Sequence, residues 1–285
     1  MVSVLMTSYN REEFIAEAIE SVLASTFKNF ELIILDDASS DNTLAIAKKY
    51  ETIDSRIKVV ANEKNLSQFP NRNKAAKIAK GKYIKYVDSD DLIYDWGLEY
   101  CVELMEKHSS AGMAIFQNKN KIDVDILEPE QAVRFHFFNQ AFLNIGPSGT
   151  IVRREAFEKT GGYNAAYGVP SDMYFNLKMA ANYPIALLKK TFFHYRVHDG
   201  QEIHNTYSYL YNNYPYLRDV MLLPEMPLSP DEKKRILKRG QDQFFRHAVR
   251  YGFKTFELRK VYKAFLHSEM SVKELLQAPF RKEKS

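Results

Sequence analysis

Lys82-Tyr83-Ile84-Lys85-Tyr86-Val87-Asp88-Ser89-Asp90-Asp91 is the stretch that decides the fold. Its first six residues read as a buried β-strand, and its last four place three carboxylates at the strand's end. Three like charges so close repel one another, and a cation that neutralises them is the simplest account of their position. A hard divalent ion held by a few carboxylates keeps open positions for phosphate oxygens, so this end of the strand is a candidate metal-diphosphate site. Read locally, the same residues would serve as a solvated Asp-rich turn or a helix cap.

Outward from this stretch, strands and helices alternate. Val2 to Met6 is a short β-rich run, and 11–25 carries Phe14, Ile15, Ala18, Ile19, Val22 and Leu23 at helical spacing. An apolar strand at 30–35 ends in Asp36-Asp37-Ala38-Ser39-Ser40-Asp41. A helix over 42–50, a strand at 57–61 and a helix over 71–79 lead back to the acidic cluster. Strands buried on both faces and alternating with amphipathic helices predict a parallel α/β sheet. Beyond it, helices are predicted over 96–107, 131–138 and 171–182, and strands at 112–117, 151–152, 185–188 and 192–197, with a Gly/Pro loop at 145–150. Residues 207–222 are rich in Tyr and Leu, 224–230 reads as a linker, and amphipathic helices are expected around 236–249 and 258–266.

At 285 residues and 45% hydrophobic, the chain has the length for one large domain with an appendage, or two small domains. The expected division is a catalytic domain over 1–205 and a helical region over 206–285 serving acceptor, membrane-surface or oligomer contacts. The net charge of +4 is uneven: residues 231–285 carry 15 Lys/Arg against 7 Asp/Glu, and the rest 25 against 29. Such a tail attracts acidic partners or an anionic membrane surface, and with its interspersed acids it reads equally as a solvated helix face packed on the catalytic domain. Nucleic acid is not among the expected partners. No apolar run approaches the ~18 residues of a membrane span, and the N-terminus lacks a signal pattern, so a cytoplasmic protein is expected, with a peripheral contact at the inner membrane face as an open reading. The lone Cys101 excludes an internal disulfide and a cysteine metal site.

In a parallel sheet the loops after successive strands share one rim. That rim would gather Thr7-Ser8-Tyr9-Asn10, Asp36-Asp37 and Asp88-Ser89-Asp90-Asp91, and a nucleotide would use all three: the Tyr9 ring for base stacking, Asp37 for a base or ribose hydrogen bond, and the third cluster for an ion bridging two phosphates. No glycine follows the first strand and no GxxxxGK[ST] loop is present, which argues against a dinucleotide fold and a P-loop.

With these segments in view, the chain resembles the family 2 glycosyltransferases of the GT-A nucleotide-diphospho-sugar fold, which implies an α/β, Rossmann-like, mostly parallel sheet flanked by helices, here with a C-terminal helical appendage. The likeness lies in residues 3–43 (SVLMTSYNREEF through DDASSDNT), 71–91 (NRNKAAKIAKGKYIKYVDSDD), 146–164 (GPSGTIVRREAFEKTGGYN) and 195–198 (YRVH), within about the first 200 residues. It implies that Thr7, Tyr9 and Asp37 line a nucleoside pocket and that Arg72 lies near the base or diphosphate. It further implies that Asp88 and Asp90 form the DxD pair, with Asp90 the direct ligand of Mn2+ or Mg2+, Asp91 adjacent, and His198 approaching from the opposite side. Members are typically inverting, with a catalytic base in a Glu-Asp pair that opens a helix; here the dipeptide is Ser171-Asp172, so Asp172 is the expected base. A structural role for that pair, with Ser171 capping the helix, stays open. The QxxRW signature of processive synthases is missing, which implies transfer of a single residue. The expected activity is transfer from a nucleotide-sugar, UDP-linked by preference, to a hydroxyl of a glycan or lipid-linked acceptor. A sugar-phosphate nucleotidyltransferase and a catalytically silent nucleotide-sugar or glycan-binding protein are the alternatives.

Overall fold

The structure is a computed structural model and describes residues 1–117, 122–198, 201, 204–271 and 273–274. Its elements run β1 (Val2–Ser8), α1 (Ile15–Leu23), β2 (Phe30–Asp36), α2 (Thr43–Ile53), β3 (Ile57–Ala61), α3 (Gln68–Ile78), β4 (Tyr83–Tyr86), β5 (Leu92–Ile93), α4 (Gly97–Lys107) and β6 (Met113–Phe116). They continue with β7 (Ile126–Leu127), α5 (Pro129–Phe138), β8 (Thr150–Arg153), α6 (Arg154–Thr160), α7 (Ser171–Asn182), β9 (Ile185–Leu188), β10 (Phe193–His194), α8 (Thr206–Met221), α9 (Pro230–Thr255) and α10 (Leu258–Ser268).

The main sheet has the order β3-β2-β1-β4-β8-β6-β9-β7, and β5 pairs with β10 in a separate two-stranded sheet. The half that carries β3, β2, β1 and β4 is parallel, as the strand-helix alternation predicts. Further along, β8 runs antiparallel to both β4 and β6, and β7 antiparallel to β9, within the mostly parallel sheet that the resemblance implies. The sheet is therefore mixed and mostly parallel, flanked by helices on both faces.

Alternation along each strand sends side chains to two cores. Val2, Val4, Met6, Leu32 and Ile34 pack with α1 and α4 through Ile19, Val22, Leu98 and Met105. Leu5, Ile33, Leu35 and Ile84 face the other way, toward Phe69, Ala75, Phe157 and Phe175 of α3, α6 and α7. Each fully buried aliphatic side chain contributes about 1.5–3 kcal/mol, so neither layer is dispensable.

Two boundaries differ from the sequence reading for physical reasons. Residues 11–14 precede α1 because the chain there is committed to a loop: Asn10 sits at φ 52 and the Arg11 backbone N–H donates to Thr43 Oγ1 at 2.7 Å. The segment 207–222 is a helix, α8, despite Pro215 within it, because Leu210, Tyr214, Val220 and Met221 are buried against neighbouring elements. The C-terminal helices pack both on the α/β body, through Val220, Met221 and Ile236, and on one another, through Tyr214, Phe244, Tyr251 and Ala264. Among the described residues no helix is long and apolar enough to cross a membrane.

Gly81 enters β4 where the chain passes β1 closely. Its N–H donates to Ser3 Oγ at 2.7 Å, and an added Cβ would collide with the Ser3 backbone nitrogen. Backbone cannot yield as a flexible side chain does, so Gly81→Ala is expected to destabilise the protein by roughly 2 kcal/mol or more, read as a lower denaturation midpoint in urea.

Candidate active site

The rim anticipated from the sequence exists. The ends of β1, β2 and β4 are held together by Asp37 N–H donating to Ser8 O at 2.8 Å and Val87 N–H donating to Leu5 O at 3.1 Å. Tyr9, just beyond β1, is 46% exposed, so its ring is open to a stacking partner. Thr7, inside β1, accepts at its carbonyl from Ser89 Oγ at 3.0 Å, which ties the first loop to the acidic one.

The two carboxylates after β2 do different work. Asp36 holds its own turn, accepting from Ser39 N at 3.0 Å and Ser39 Oγ at 2.5 Å, while Ala38 takes φ 62. Asp37 is buried and accepts at Oδ1 from Asn62 Nδ2 (2.7 Å) and from Leu66 N (2.8 Å). Both contacts use one oxygen, so Asp37 braces the pocket wall and still has its second oxygen for a ligand.

Asp88 and Asp90 meet cationic side chains, whereas the contact at Asp91 is a backbone N–H. Asp88 Oδ1 lies 2.7 Å from Nη1 of the buried Arg72. Burial raises the Asp88 carboxyl, but the charge and hydrogen bond of Arg72, the Ser148 hydroxyl and the charge of Lys85 together outweigh it, and the net displacement is below the ordinary carboxylate range. Arg72 is itself fixed by its ring neighbour, lying 5.3 Å from the Tyr86 centroid, and its carbonyl accepts from the Tyr86 hydroxyl at 3.0 Å. Asp90 Oδ2 receives both Arg11 Nε and His198 Nε2 at 3.0 Å. His198 in turn stacks on Phe14 at 4.7 Å. Asp91 Oδ1 accepts from the Arg196 backbone at 3.2 Å, and Arg196 Nε donates to the Asp90 carbonyl at 2.5 Å. Asp91 Oδ2 is buried without a partner, and burial, then Asp88 and Asp90, push this carboxyl up to about 7.

These three side chains offer oxygen atoms within 4.8 Å of one another. A set of hard oxygens with one buried oxygen unsatisfied fits a small divalent cation of the Mg2+ or Mn2+ kind. Beneath the cluster, buried Lys85 donates to the carbonyls of Tyr86 (2.5 Å) and Ser148 (2.6 Å), and burial lowers its ammonium to about 8. Ser148 also accepts from Asp88 N at 3.3 Å, so the short 3-10 turn Pro147–Gly149 is a floor for the acidic loop.

Asp172 stands in the first turn of α7, accepting at Oδ1 from Met173 N at 2.7 Å. A methyl built on Gly146 would sit 3.8 Å from its Oδ2, so the absent side chain leaves that oxygen approachable. Burial pushes the Asp172 carboxyl up to about 7; Arg72 opposes and Asp88 adds to the rise. Arg72 thus acts on Asp88 and Asp172 together, which joins the base candidate to the acidic rim. Ser171 does not cap α7 with its side chain: its hydroxyl donates to the Gly168 carbonyl at 2.6 Å.

Sequence reasoning missed Arg11, Arg196, Phe14 and Lys85. Arg11 directly follows the Thr7-Ser8-Tyr9-Asn10 loop and Arg196 lies within Tyr195-Arg196-Val197-His198, so adjacency was the only signal.

The profile of the family described as Glycosyl transferase family 2 matches residues 3–161, more than half of the chain. The Escherichia coli protein WfgD, named as a UDP-Glc:alpha-D-GlcNAc-diphosphoundecaprenol beta-1,3-glucosyltransferase, is 37% identical over 149 residues, which are 51% of this chain and 56% of that protein. The chain spans about half the length of the curated relatives it matches. Among solved structures, residues 1–349 of S. aureus TarS with UDP-GlcNAc superpose with a TM-score of 0.74 at 22% identity, over 97% of this chain and 81% of that one. The mannosyltransferase PcManGT of Pyrobaculum calidifontis, solved with GDP-Man and Mn2+, gives 0.66 at 14% identity, over 98% and 78%. At such identities the two structures speak for the GT-A fold alone, while the profile match carries the assignment: this chain belongs to glycosyl transferase family 2.

Proposed function

We propose that the chain transfers a single sugar from a UDP-sugar to a hydroxyl of a glycan or lipid-linked saccharide, with inversion and with the help of Mn2+ or Mg2+. The observation that carries this reading is the Asp88, Asp90 and Asp91 cluster on the same rim as exposed Tyr9 and in the same field as Asp172. UDP is favoured because WfgD is named for a UDP-sugar and TarS was solved with UDP-GlcNAc; a lipid-linked acceptor is likewise suggested by the name of WfgD.

On this reading Tyr9 stacks on the base, Asp37 and Thr7 bound the nucleoside pocket, and Arg72 and Arg11 face the diphosphate. Asp90 and Asp88, with Asp91 beside them, would hold the cation, which supplies Lewis-acid stabilisation of the leaving diphosphate when bound. His198 braces Asp90 together with Arg11, on the same carboxylate oxygen. The acceptor oxygen bonds to the anomeric carbon as its bond to the phosphate oxygen breaks, and the hydroxyl proton passes to Asp172. A carboxyl near 7 suits a general base at neutral pH.

Incubation with a panel of UDP-sugars, Mn2+ and simple glycosides tests this proposal. Release of UDP with a new glycoside is the expected result. Formation of nucleoside triphosphate from added pyrophosphate would mark a nucleotidyltransferase instead, and tight donor binding without turnover would mark a silent binding protein, the reading that the missing glutamate before Asp172 keeps in view.

A peripheral membrane contact belongs to the same proposal. Phe253, Phe256 and Leu258 are 78%, 83% and 70% exposed at the turn from α9 to α10, among Arg250, Lys254, Arg259 and Lys263. Aromatic side chains beside cations suit an anionic lipid surface, with ~1 kcal/mol per cation near it. Vesicles containing phosphatidylglycerol are expected to bind the full chain at low salt and release it at high salt, and Phe253→Ser with Phe256→Ser to weaken binding by about tenfold or more. Cosedimentation that ignores both changes would remove this surface from the account.

A further inference from the structure

A pocket of about 410 Å3 opens between the start of α7, where Met173 lines it, the middle of α8 and α9. Its wall combines the rings of Tyr214, Tyr216 and Phe244 with the side-chain amides of Asn144, Asn213 and Gln243. Those three amides form no hydrogen bond with any described residue, although each offers two donors and an acceptor. Among the described residues no Lys, Arg, Asp or Glu lines the space, and burial lowers the imidazole of His247, so this described lining is uncharged at neutral pH.

The position ties the pocket to the transfer site. Met173, in its wall, directly follows Asp172, and Asn144 belongs to the same loop as Gly146, which faces Asp172 Oδ2. Asn176 fixes that loop on α7 by donating to the carbonyls of Leu143 and Ile145, both at 2.8 Å. Burial raises the Tyr216 hydroxyl, and the charge of Asp172 raises it further, so this ring lies within reach of the carboxylate's field.

A hydrocarbon ligand would leave three amides unpaired, and a phosphate would find no cation among the described lining residues. A sugar ring meets both halves of the wall, its C–H face on the aromatic rings and its hydroxyls on the amides. We propose that this pocket is the acceptor subsite, holding one or two neutral sugar residues adjoining the hydroxyl that attacks the donor. The assignment rests on the reading of Asp172 as the base of sugar transfer, and it gives α8 and α9 a role in selecting neutral over anionic acceptors.

Saturation-transfer NMR on the full chain with UDP present tests it, using methyl β-glucopyranoside, methyl N-acetyl-β-glucosaminide and methyl β-glucuronide as probes. Wild type is expected to transfer saturation to the ring protons of at least one neutral glycoside and more weakly to the glucuronide. Two variants should reduce the neutral signal by about tenfold: Asn213→Ala with Gln243→Ala, which removes two amides, and Gln243→Trp, which fills the pocket from an exposed position. The UDP signal should be unchanged in both. Absence of transfer to either neutral glycoside, or transfer that survives both variants, overturns the subsite. Loss of the UDP signal in wild type with a variant-sensitive glycoside signal would sink the donor reading and leave the sugar pocket standing.

Discussion

Replacing Asp172 by Asn is expected to slow sugar transfer by ~10²–10⁴-fold while leaving UDP affinity unchanged, because the amide keeps the shape of the side chain and cannot take the acceptor's proton. The carboxyl titrates at about 7 in the fold, against an ordinary value of 3.8. Wild-type transfer should therefore rise with pH and level off above about 7, and the residual activity of the variant should lack that rise. Stability should move the opposite way. A carboxyl whose folded value is raised holds a proton in the native state that the unfolded chain has already lost, so this group's contribution to stability declines as pH rises from about 4 to about 7. Asp172→Asn removes that loss, and the variant is expected to melt higher than wild type at pH 8 and level with it near pH 4. A slower yet more heat-resistant protein is the signature of a strained functional carboxylate. A purely structural Asp172, serving the first turn of α7, would instead lower melting and rate together.

Asp90→Ala carries the second large effect. Asp90 draws Arg11 and His198 onto one oxygen at 3.0 Å each, and it is the best candidate to hold the cation. Its loss is expected to lower transfer by ~10²–10³-fold and to abolish any gain in UDP affinity from Mn2+. Asp88 is the poorer target for this purpose, since its removal would leave the buried guanidinium of Arg72 unpaired at a cost of about 3–5 kcal/mol and mix misfolding with lost chemistry. Asp90 has no such buried dependant, because Arg11 and His198 both retain some solvent contact. An Asp90→Ala protein whose UDP binding still responds to Mn2+ would shift the ligand role to Asp88 and Asp91.

The parallel half of the sheet was legible because β1, β2, β3 and β4 are short apolar runs separated by amphipathic helices, a pattern few other architectures produce. What the pattern could not tell was direction. Ile151 and Val152 read as a strand in either sense, and only the structure inserts β8 antiparallel between β4 and β6. Helix α6 is seven residues long, too short for periodicity to register. Helix α8 hides behind Pro215, a residue that argues against helix until the burial of its neighbours outweighs the lost donor.

At the site, the acidic cluster was visible because three adjacent like charges after a buried strand demand compensation. The compensating groups were not. An arginine pairs with whatever the fold brings to it, and Arg11 and Arg196 lie 79 and 106 residues from their Asp90 partner atoms. Lys85 was concealed within a strand reading, although a charged residue in an otherwise buried run is itself a signal for partners at the strand's end. Asp37 shows a further limit: its identity suggested a ligand, while its Oδ1 is already committed to Asn62 and Leu66.

The claim on which the rest depends is that the carboxylates after β4 hold a divalent ion that in turn holds a diphosphate. Isothermal titration of UDP into the protein, once with Mn2+ and once with EDTA, tests it most directly. The account predicts that UDP binds at least about tenfold more tightly with Mn2+, a difference of ~1.4 kcal/mol or more. Equal affinity in the two buffers would contradict it.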